Sequence, residues 1–499
     1  MKIKTALLIF LLIILFLFLG YDNKHHWDEN NHMYKAAYAS FKPPFEWFGK
    51  PGDLFYYWYA NKIVHLYSAH LIVNLFGVGV GGLFLLDLTF SSFMIIYFFG
   101  AYLVLKNIFS NKTKSFLIAI ILAFLPVNLY LAHKVLSEVN ALVFIIYSIL
   151  CFQLSLKTNV TYRGYLFIVI ASILTFLGTI CRLDSPVLGF SYAFTFMLFY
   201  RESSKKALKT LIIWVALYFF IILIYVKITG INPFQFILIG GPLKYGDPET
   251  TGGMIKKLLL AGSLFNIFIL ISFFNFKSRN FKFAIVWLLL LIMPLFIFNK
   301  RMEVRYLYLT GIPVAILSYL GIKIIYEMLE KKIPRIKVGY VFIILMTSAV
   351  LCNLLVFPYF DVGVHGNELD KVVKRISEDF DRPLIIVKAG TNVFAYLRFC
   401  YPMMLIAGDG NLGLPGEIEV NNINDLEEWS NKSIVYIEPG RRRSDIFIAK
   451  LYNKLFRKPD QLETDRPLRW IFHTQGIKSQ ELFSEYIYTC YKISPSPQS

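Results

Sequence analysis

Three features of the chain predict a polytopic α-helical membrane protein of about eleven transmembrane helices, with a small soluble α/β domain at its C-terminal end. Apolar runs long enough to cross a bilayer recur from residue 5 to residue 357. Basic residues gather in alternate loops between those runs. From residue 358 to 499 the composition turns soluble, with helix and strand patterns of ordinary length. The predicted division is therefore a membrane domain over 1–357 and a soluble domain over 358–499. At 56% hydrophobic and 17% charged residues, the chain is too apolar for a soluble globule. Its formal charge of +18, from 51 Lys and Arg against 33 Asp and Glu, is carried largely in short loops, which makes it a topology signal rather than a nucleic-acid footprint.

Residues 5–20 behind Lys2 and Lys4 have the start of a signal peptide but no small-x-small cleavage site before Tyr21, so they read as a retained anchor. The loop over 21–65 is too polar to cross a bilayer. Its rings, among them Phe45, Trp47, Phe48, Tyr57 and Trp58, suit the membrane interface. A Gly-rich apolar approach with His70 and Asn74 covers 66–82, and the second span follows at 83–105. Spans three and four, 116–132 and 139–156, are joined by a hairpin that ends at Glu138. Spans five to seven are 165–181, 187–200 and 210–228; spans eight to eleven are 257–274, 283–298, 306–326 and 339–357.

One set of alternate loops holds Lys106, Lys112, Lys114, Lys157, Arg163, Arg201, Lys205, Lys206, Lys209, Lys277, Arg279, Lys282, Lys331, Lys332, Arg335 and Lys337. Those loops and the N-terminus are expected to be cytoplasmic. The other face then receives the 21–65 loop, Glu138, Arg182 with Asp184, a Gly-rich loop after 228, the charged cluster near 300, and the tail.

In the tail, 367–379 fits an amphipathic helix, while Leu384–Val387 and Ser433–Ile437 fit strands. Gly408-Asp409-Gly410 lacks the strand, spacing and helix of a dinucleotide fingerprint. Arg441, Arg442 and Arg443 read as a solvated or lipid-headgroup patch. The five cysteines show no metal or redox spacing, and Cys400 with Cys490 forms a candidate disulfide if the tail lies outside.

The candidate chemistry centres on His25-His-Trp-Asp-Glu-Asn-Asn-His32. Asp28 and Glu29 open a helix, where an acid suits the positive end of the dipole. Asp28 is either a helix cap or a catalytic carboxylate facing the membrane surface. Asp28, Glu29 and His32 also form a candidate divalent-cation site, without a recognised ligand spacing. Lys300, Arg301, Glu303 and Arg305 lie between two spans on the face that basic residues avoid. They read either as a salt-bridged hairpin or as a phosphate clamp. Arg182 with Asp184 is either an internal ion pair or a substrate contact, and Glu138 is a helix cap or a site residue.

In their order along the chain these features resemble the GT-C membrane glycosyltransferases, in the branch with the protein O-mannosyltransferases and the lipid A aminoarabinose transferase. The resemblance runs over about residues 1–330. Asp28-Glu29 followed by Tyr34 and Ala36-Ala37 resembles that family's Asp-Glu motif in the first external loop. Lys50-Pro51 before Tyr57-Trp58 resembles its Lys-Pro or Pro-Pro element. Pro126 through Tyr130 to Glu138 is similar to its hairpin, and Gly178-Thr-Ile-Cys-Arg182 to its Thr-Arg span end. Arg301 to Pro313, with Glu303, Arg305 and Tyr306, is similar to its charged entry to a late span. Leu85-Leu-Asp87 stands where many members have an Arg and a Pro-Ser, and Pro51-Gly-Asp replaces the common Pro-Pro-Leu.

The resemblance implies transfer of a sugar from a polyprenyl-phosphate donor to a hydroxyl of a protein, lipid or glycan, with inversion and without a nucleotide or an obligatory metal. Asp28 would be the general base, with Glu29 beside it as the second carboxylate of the catalytic pair. Lys50, Arg182, Arg301 and Arg305 would stabilise charge growing on the leaving phosphate, with Glu138, Asp184, Lys300, Glu303 and Tyr306 completing the site. The competing readings are a polyprenyl-linked glycan ligase or polymerase and a lipid-substrate transporter. A transporter would place ionisable groups at the midplane and show internal repeats; neither is evident.

Overall fold

A computed structural model describes residues 24–38, 59, 61–132, 134–158, 161–200, 204–235, 259, 262–298, 304–333, 338–356, 363–388, 392–409, 418–419, 433–439, 478–485 and 488–494. The chain forms two compact units. One comprises Met1–Asp22, Lys42–Ser68 and Asp87–Phe360, and the other Asn23–Phe41, Ala69–Leu86 and Asp361–Ser499.

The first unit is helical. Among the described residues, Val80–Phe109, Ser137–Lys157, Tyr162–Thr179, Ser204–Thr229 and Leu307–Lys332 are helices long and apolar enough to cross a bilayer. Shorter apolar helices include Ile63–Phe76, Pro186–Phe199, Phe265–Asn275 and Gly339–Leu351. The chain is accordingly a membrane protein. The predicted first span, 5–20, lies outside the described residues.

Burial shows where each helix stands. Ser204–Thr229 buries only the stripe Ala207, Thr210, Trp214, Tyr218 and Ile222, at helical spacing. Its Leu208, Ile212, Phe219, Phe220 and Leu223 are exposed, as side chains against lipid would be. Ser137–Lys157 instead buries residues on most of its surface and is central. Lipid is as apolar as leucine, so small-residue packing and hydrogen bonds must hold such helices together. Ser148 Oγ donates to Ala171 O (2.8 Å) and meets Thr175 Oγ1 at 2.7 Å, which sets Ser137–Lys157 against Thr161–Thr179. Trp214 Nε1 donates to the same Thr175 hydroxyl at 3.0 Å. Farther along, Gln153 Nε2 donates to Tyr192 OH (2.6 Å), Asn107 Nδ2 to Gln153 Oε1 (2.8 Å), and Lys157 Nζ to Asn107 Oδ1 (2.6 Å).

The predicted third span, 116–132, is not one helix. It is helical over Lys112–Ala123 and restarts as Pro126–Leu131. Pro126 has no N–H to donate and disfavours helical backbone before it; Leu125 is extended at φ −62°, ψ 142°. The late span begins as a 3₁₀ helix, Val304–Thr310, before the α-helix Gly311–Lys332.

The second unit is α/β. A strand β1, Lys24–His26, pairs antiparallel with β2, Gly363–His365. The Trp27–Tyr38 helix that follows β1 packs on the Asn392–Cys400 helix. Tyr38 OH donates to Arg398 O at 2.9 Å, and the Tyr34 and Phe394 rings lie 6.0 Å apart. The remaining strands are β3 Leu384–Lys388, β4 Leu405–Asp409, β5 Ile418–Glu419, β6 Ile434–Pro439, β7 Lys478–Glu485 and β8 Tyr488–Ser494. They form one sheet in the order β5-β4-β3-β6-β8-β7. Pairing is parallel from β5 to β6, and β8 runs antiparallel to both β6 and β7. The amphipathic helix is Gly366–Asp379, with Leu369, Val372, Val373 and Ile376 buried.

Two expectations for the tail are corrected. A strand, β4, does lead into Gly408 and Asp409, because Leu405, Ile406 and Ala407 are apolar enough to pair beside β3. Gly410 lies outside the described residues. Cys400 and Cys490 are free thiols, both buried, one on the Asn392–Cys400 helix and the other opposite Ile437 in the sheet. Burial pushes the Cys490 thiol up to about 12, against the opposing pull of Arg375. In unreduced native protein, neither thiol is expected to react with N-ethylmaleimide at neutral pH. Both should react after denaturation without reductant, whereas intact-mass evidence for a disulfide would contradict this arrangement.

Candidate functional site

Within the helical unit, the end of Thr161–Thr179 meets the start of Ser137–Lys157. The two helices run antiparallel and cross closely at Gly178. A Cβ there would lie 2.9 Å from Ile145 Cδ1 and 3.1 Å from Ser185 Oγ, so only glycine lets the ends approach without a shift. The chain then turns through Arg182 and Asp184, and Pro186 opens the next helix. Glu138 stands in the first turn of Ser137–Lys157, where its charge suits the helix dipole.

This juxtaposition puts Arg182 between two carboxylates. Its Nη1 lies 3.0 Å from Glu138 Oε1, an ion pair without the alignment of a hydrogen bond. Its Nε donates to Asp184 Oδ1 at 3.2 Å. Ser137 Oγ donates to the other Glu138 oxygen at 3.2 Å. The Glu138 side chain is fully buried, that of Arg182 is 11% exposed, and that of Asp184 is 29% exposed. Burial therefore falls from Glu138 to Asp184, and the more exposed carboxylate marks the accessible side.

A fourth group closes the cluster. Tyr308, wholly buried on the 3₁₀ helix Val304–Thr310, donates its hydroxyl to Asp184 Oδ1 at 2.9 Å. The Arg182 guanidinium carbon lies 5.9 Å from the centroid of the same ring. The 3₁₀ helix rests on the short helix Pro126–Leu131, so the broken third span supports the tyrosine. Lys134, 1% exposed, sits in the connection between Pro126–Leu131 and Glu138, with Nζ 5.6 Å from the Tyr130 ring centroid. Near Arg182, the His65 backbone lies against the Cys181 thiol, and the His65 ring meets Phe90 edge-on at 5.4 Å. The start of the Ile63–Phe76 helix, with buried Lys62 and His65, is therefore a neighbour of the Arg182 turn.

Of the residues singled out from sequence, Glu138, Arg182 and Asp184 come together. The Arg182–Asp184 pair forms an internal ion pair, with the Asp184 side chain partly exposed. Arg305 and Tyr306 lie on the backbone of the 3₁₀ helix, while Lys50, Lys300, Arg301 and Glu303 fall outside the described residues. Tyr308 was not anticipated. On a 3₁₀ helix positions 305 and 308 are one turn apart, so Arg305 followed three residues later by Tyr308 was the available signal.

In the second unit, Asp28 occupies the first turn of Trp27–Tyr38, as predicted for its backbone. Glu29, His32 and Lys35 on that helix are buried. Among the described residues, no group of three or more His, Cys, Asp or Glu side chains is arranged to hold a metal ion. Desolvation lowers Lys35 from 10.5 to about 7. His70 Nδ1 bonds Ala36 O at 2.7 Å on the same helix, which leaves Nε2 to accept from Asn74 Nδ2 at 3.0 Å.

No protein-family model and no curated protein sequence matches the chain. Among solved structures it is similar to ArnT from Cupriavidus metallidurans bound to undecaprenyl phosphate, with a TM-score of 0.57 at 10% identity over 99% of this chain and 98% of that one. This chain has a GT-C fold. The apo form of the same ArnT gives a TM-score of 0.55 at 10% identity, covering 98% of each chain. The GT-C likeness thus runs past residue 330, where the sequence resemblance ended, into the tail. Archaeal oligosaccharyltransferase AglB from Archaeoglobus fulgidus, in complex with an inhibitory peptide and a dolichol-phosphate, gives a TM-score of 0.45 at 14% identity, over 85% of this chain and 69% of that one.

Two measurements test this part of the GT-C architecture. Arg182→Gln leaves two carboxylates without their guanidinium and should destabilise the helical unit by about 3–5 kcal/mol. Adding Glu138→Gln should recover part of that loss, and thermal melts of the single and double variants in detergent give the coupling. For Lys35, the unfolded chain holds a proton between about pH 7 and 10.5 that the folded unit releases. Stability of the second unit should therefore rise with pH through that window and be flat below it. Lys35→Met should flatten the profile and add on the order of 2 kcal/mol at pH 7, read as hydrogen-exchange protection of the Trp27–Tyr38 helix.

Proposed function

We propose that the protein is an integral membrane glycosyltransferase. It moves a hexose or pentose from a polyprenyl-phosphate donor to a hydroxyl of a protein, lipid or glycan on the outer face of the membrane, with inversion. The observation that carries this reading is the meeting of three sequence-distant span ends in one cluster: the hairpin at Glu138, the span end at Arg182 and Asp184, and the late-span entry at Tyr308. The likeness to ArnT, which was crystallised with undecaprenyl phosphate, supports a lipid phosphate as the ligand. The alternating basic loops support an outward-facing site and a cytoplasmic N-terminus.

The charges refine the roles. One guanidinium faces two carboxylates in the Glu138–Arg182–Asp184 cluster. Arg182 is the oriented hydrogen-bond donor, held in plane by its two acids. In this reading Lys50, Lys300, Arg301 and Arg305 supply further positive charge, and Glu303 and Tyr306 are the remaining candidate site residues. Asp28 takes the proton of the acceptor hydroxyl while that oxygen bonds to the anomeric carbon. The anomeric C–O bond to the phosphate breaks, its electron pair stays on the lipid phosphate, and the products are the glycoside and polyprenyl phosphate. Glu29, buried and adjacent to Asp28, is the second carboxylate of the proposed catalytic pair.

The test is transfer by purified protein in liposomes from a panel of polyprenyl-phosphate monosaccharides, with Asp28→Asn alongside. Consumption of one donor by wild type, reduced by about a hundredfold or more in Asp28→Asn, is the expected result. Undiminished transfer by folded Asp28→Asn removes Asp28 as the base. Turnover of lipid-linked oligosaccharides alone would replace the monosaccharide donor with a ligase or polymerase substrate.

A further inference from the structure

We infer that Tyr308 is the positioning residue of this site: it fixes Asp184, and through Asp184 the plane of the Arg182 guanidinium, for contact with the donor's phosphate. The inference rests on the function proposed above and concerns how Arg182 is presented. Asp184 Oδ1 receives two donors, Arg182 Nε at 3.2 Å and Tyr308 OH at 2.9 Å. A carboxylate bound only by Arg182 Nε could rotate about its side-chain bonds and carry the guanidinium with it. The hydroxyl removes that freedom, because Tyr308 has no exposed surface and its backbone is held in a 3₁₀ turn.

The tyrosine also acts on Arg182 directly. Its ring centroid lies 5.9 Å from the guanidinium carbon, within the range where a ring attracts a cation. The guanidinium is thus confined by Glu138 at Nη1, by Asp184 at Nε and by the Tyr308 ring. Each constraint comes from a different segment of chain, and the one at Tyr308 belongs to the segment that also carries Arg305. Any movement of that 3₁₀ helix must change the presentation of Arg182 together with the backbone of Arg305.

The experiment compares Tyr308→Phe, Asp184→Asn and the double variant in two assays: sugar transfer in liposomes, and binding of undecaprenyl phosphate by native mass spectrometry. Tyr308→Phe keeps the ring and removes only the hydroxyl. It should lower kcat/KM for the donor about tenfold, the loss expected for one hydrogen bond to a charged group, and weaken undecaprenyl phosphate binding in proportion, with KM for the acceptor unchanged. In the Asp184→Asn background the same change should add less than about twofold, since both act through one contact. A Tyr308→Phe variant equal to wild type in transfer and binding overturns the inference and leaves the proposed function standing. So does a full, independent loss in the Asp184→Asn background, or a fall in melting temperature with donor kinetics intact, which would mark a purely structural tyrosine. A folded wild type that neither transfers sugar nor binds undecaprenyl phosphate overturns the proposed function, and this inference with it.

Discussion

The cost of burying the carboxylate of Glu138 in a lipid-embedded helical unit is offset by Arg182, which meets it at 3.0 Å. Desolvating either ion alone would cost several kcal/mol, so the pair fixes how the ends of Ser137–Lys157 and Thr161–Thr179 approach one another. The rest of the helical unit serves that approach. Gly178 lets the helices close, the Ser148–Thr175–Trp214 hydrogen bonds hold them below the pair, and Pro126 breaks the third span so that a short helix can support Tyr308. An ion pair made only for stability would gain little from a second carboxylate. Asp184 adds a second carboxylate to the same guanidinium and is the more exposed of the two acids.

The second unit takes its form from a different constraint. The strand Lys24–His26 pairs with Gly363–His365, more than 330 positions further along the chain. The helix that carries Asp28 is thereby built onto the C-terminal α/β sheet unit, with Tyr38 bonded to the Asn392–Cys400 helix and His70 bonded to Ala36. The tail consequently has a role in the chemistry proposed here: it is the scaffold for the helix of the candidate base. Substitutions in the Asn392–Cys400 helix are mutations of that scaffold.

Much of this was legible in the sequence because hydropathy and charge report on a bilayer directly. The spans beginning near 139, 165, 187 and 210 correspond to helices in the structure, and Glu138, Arg182 and Asp184 were singled out by their cost in an apolar setting. Partnering was less legible. The β1–β2 pair joins residues more than 330 positions apart, and three-residue strands carry no periodicity to read. Strands β4, β5, β7 and β8 were missed because a six-stranded sheet can accept short or polar segments once its neighbours are in place. Tyr308 was missed because Tyr306, two residues earlier, matched a family motif, and the 3₁₀ backbone that gives position 308 its reach is not written in propensity.

The central claim is that Arg182, confined by Glu138, Asp184 and Tyr308, meets a lipid phosphate. The most direct test is a cryo-EM structure of the protein in nanodiscs supplied with undecaprenyl phosphate. The account predicts phosphate density within hydrogen-bond reach of the Arg182 guanidinium, with Tyr308 still donating to Asp184. Phosphate bound elsewhere on the helical unit, with Arg182 engaged only by its two carboxylates, would contradict it.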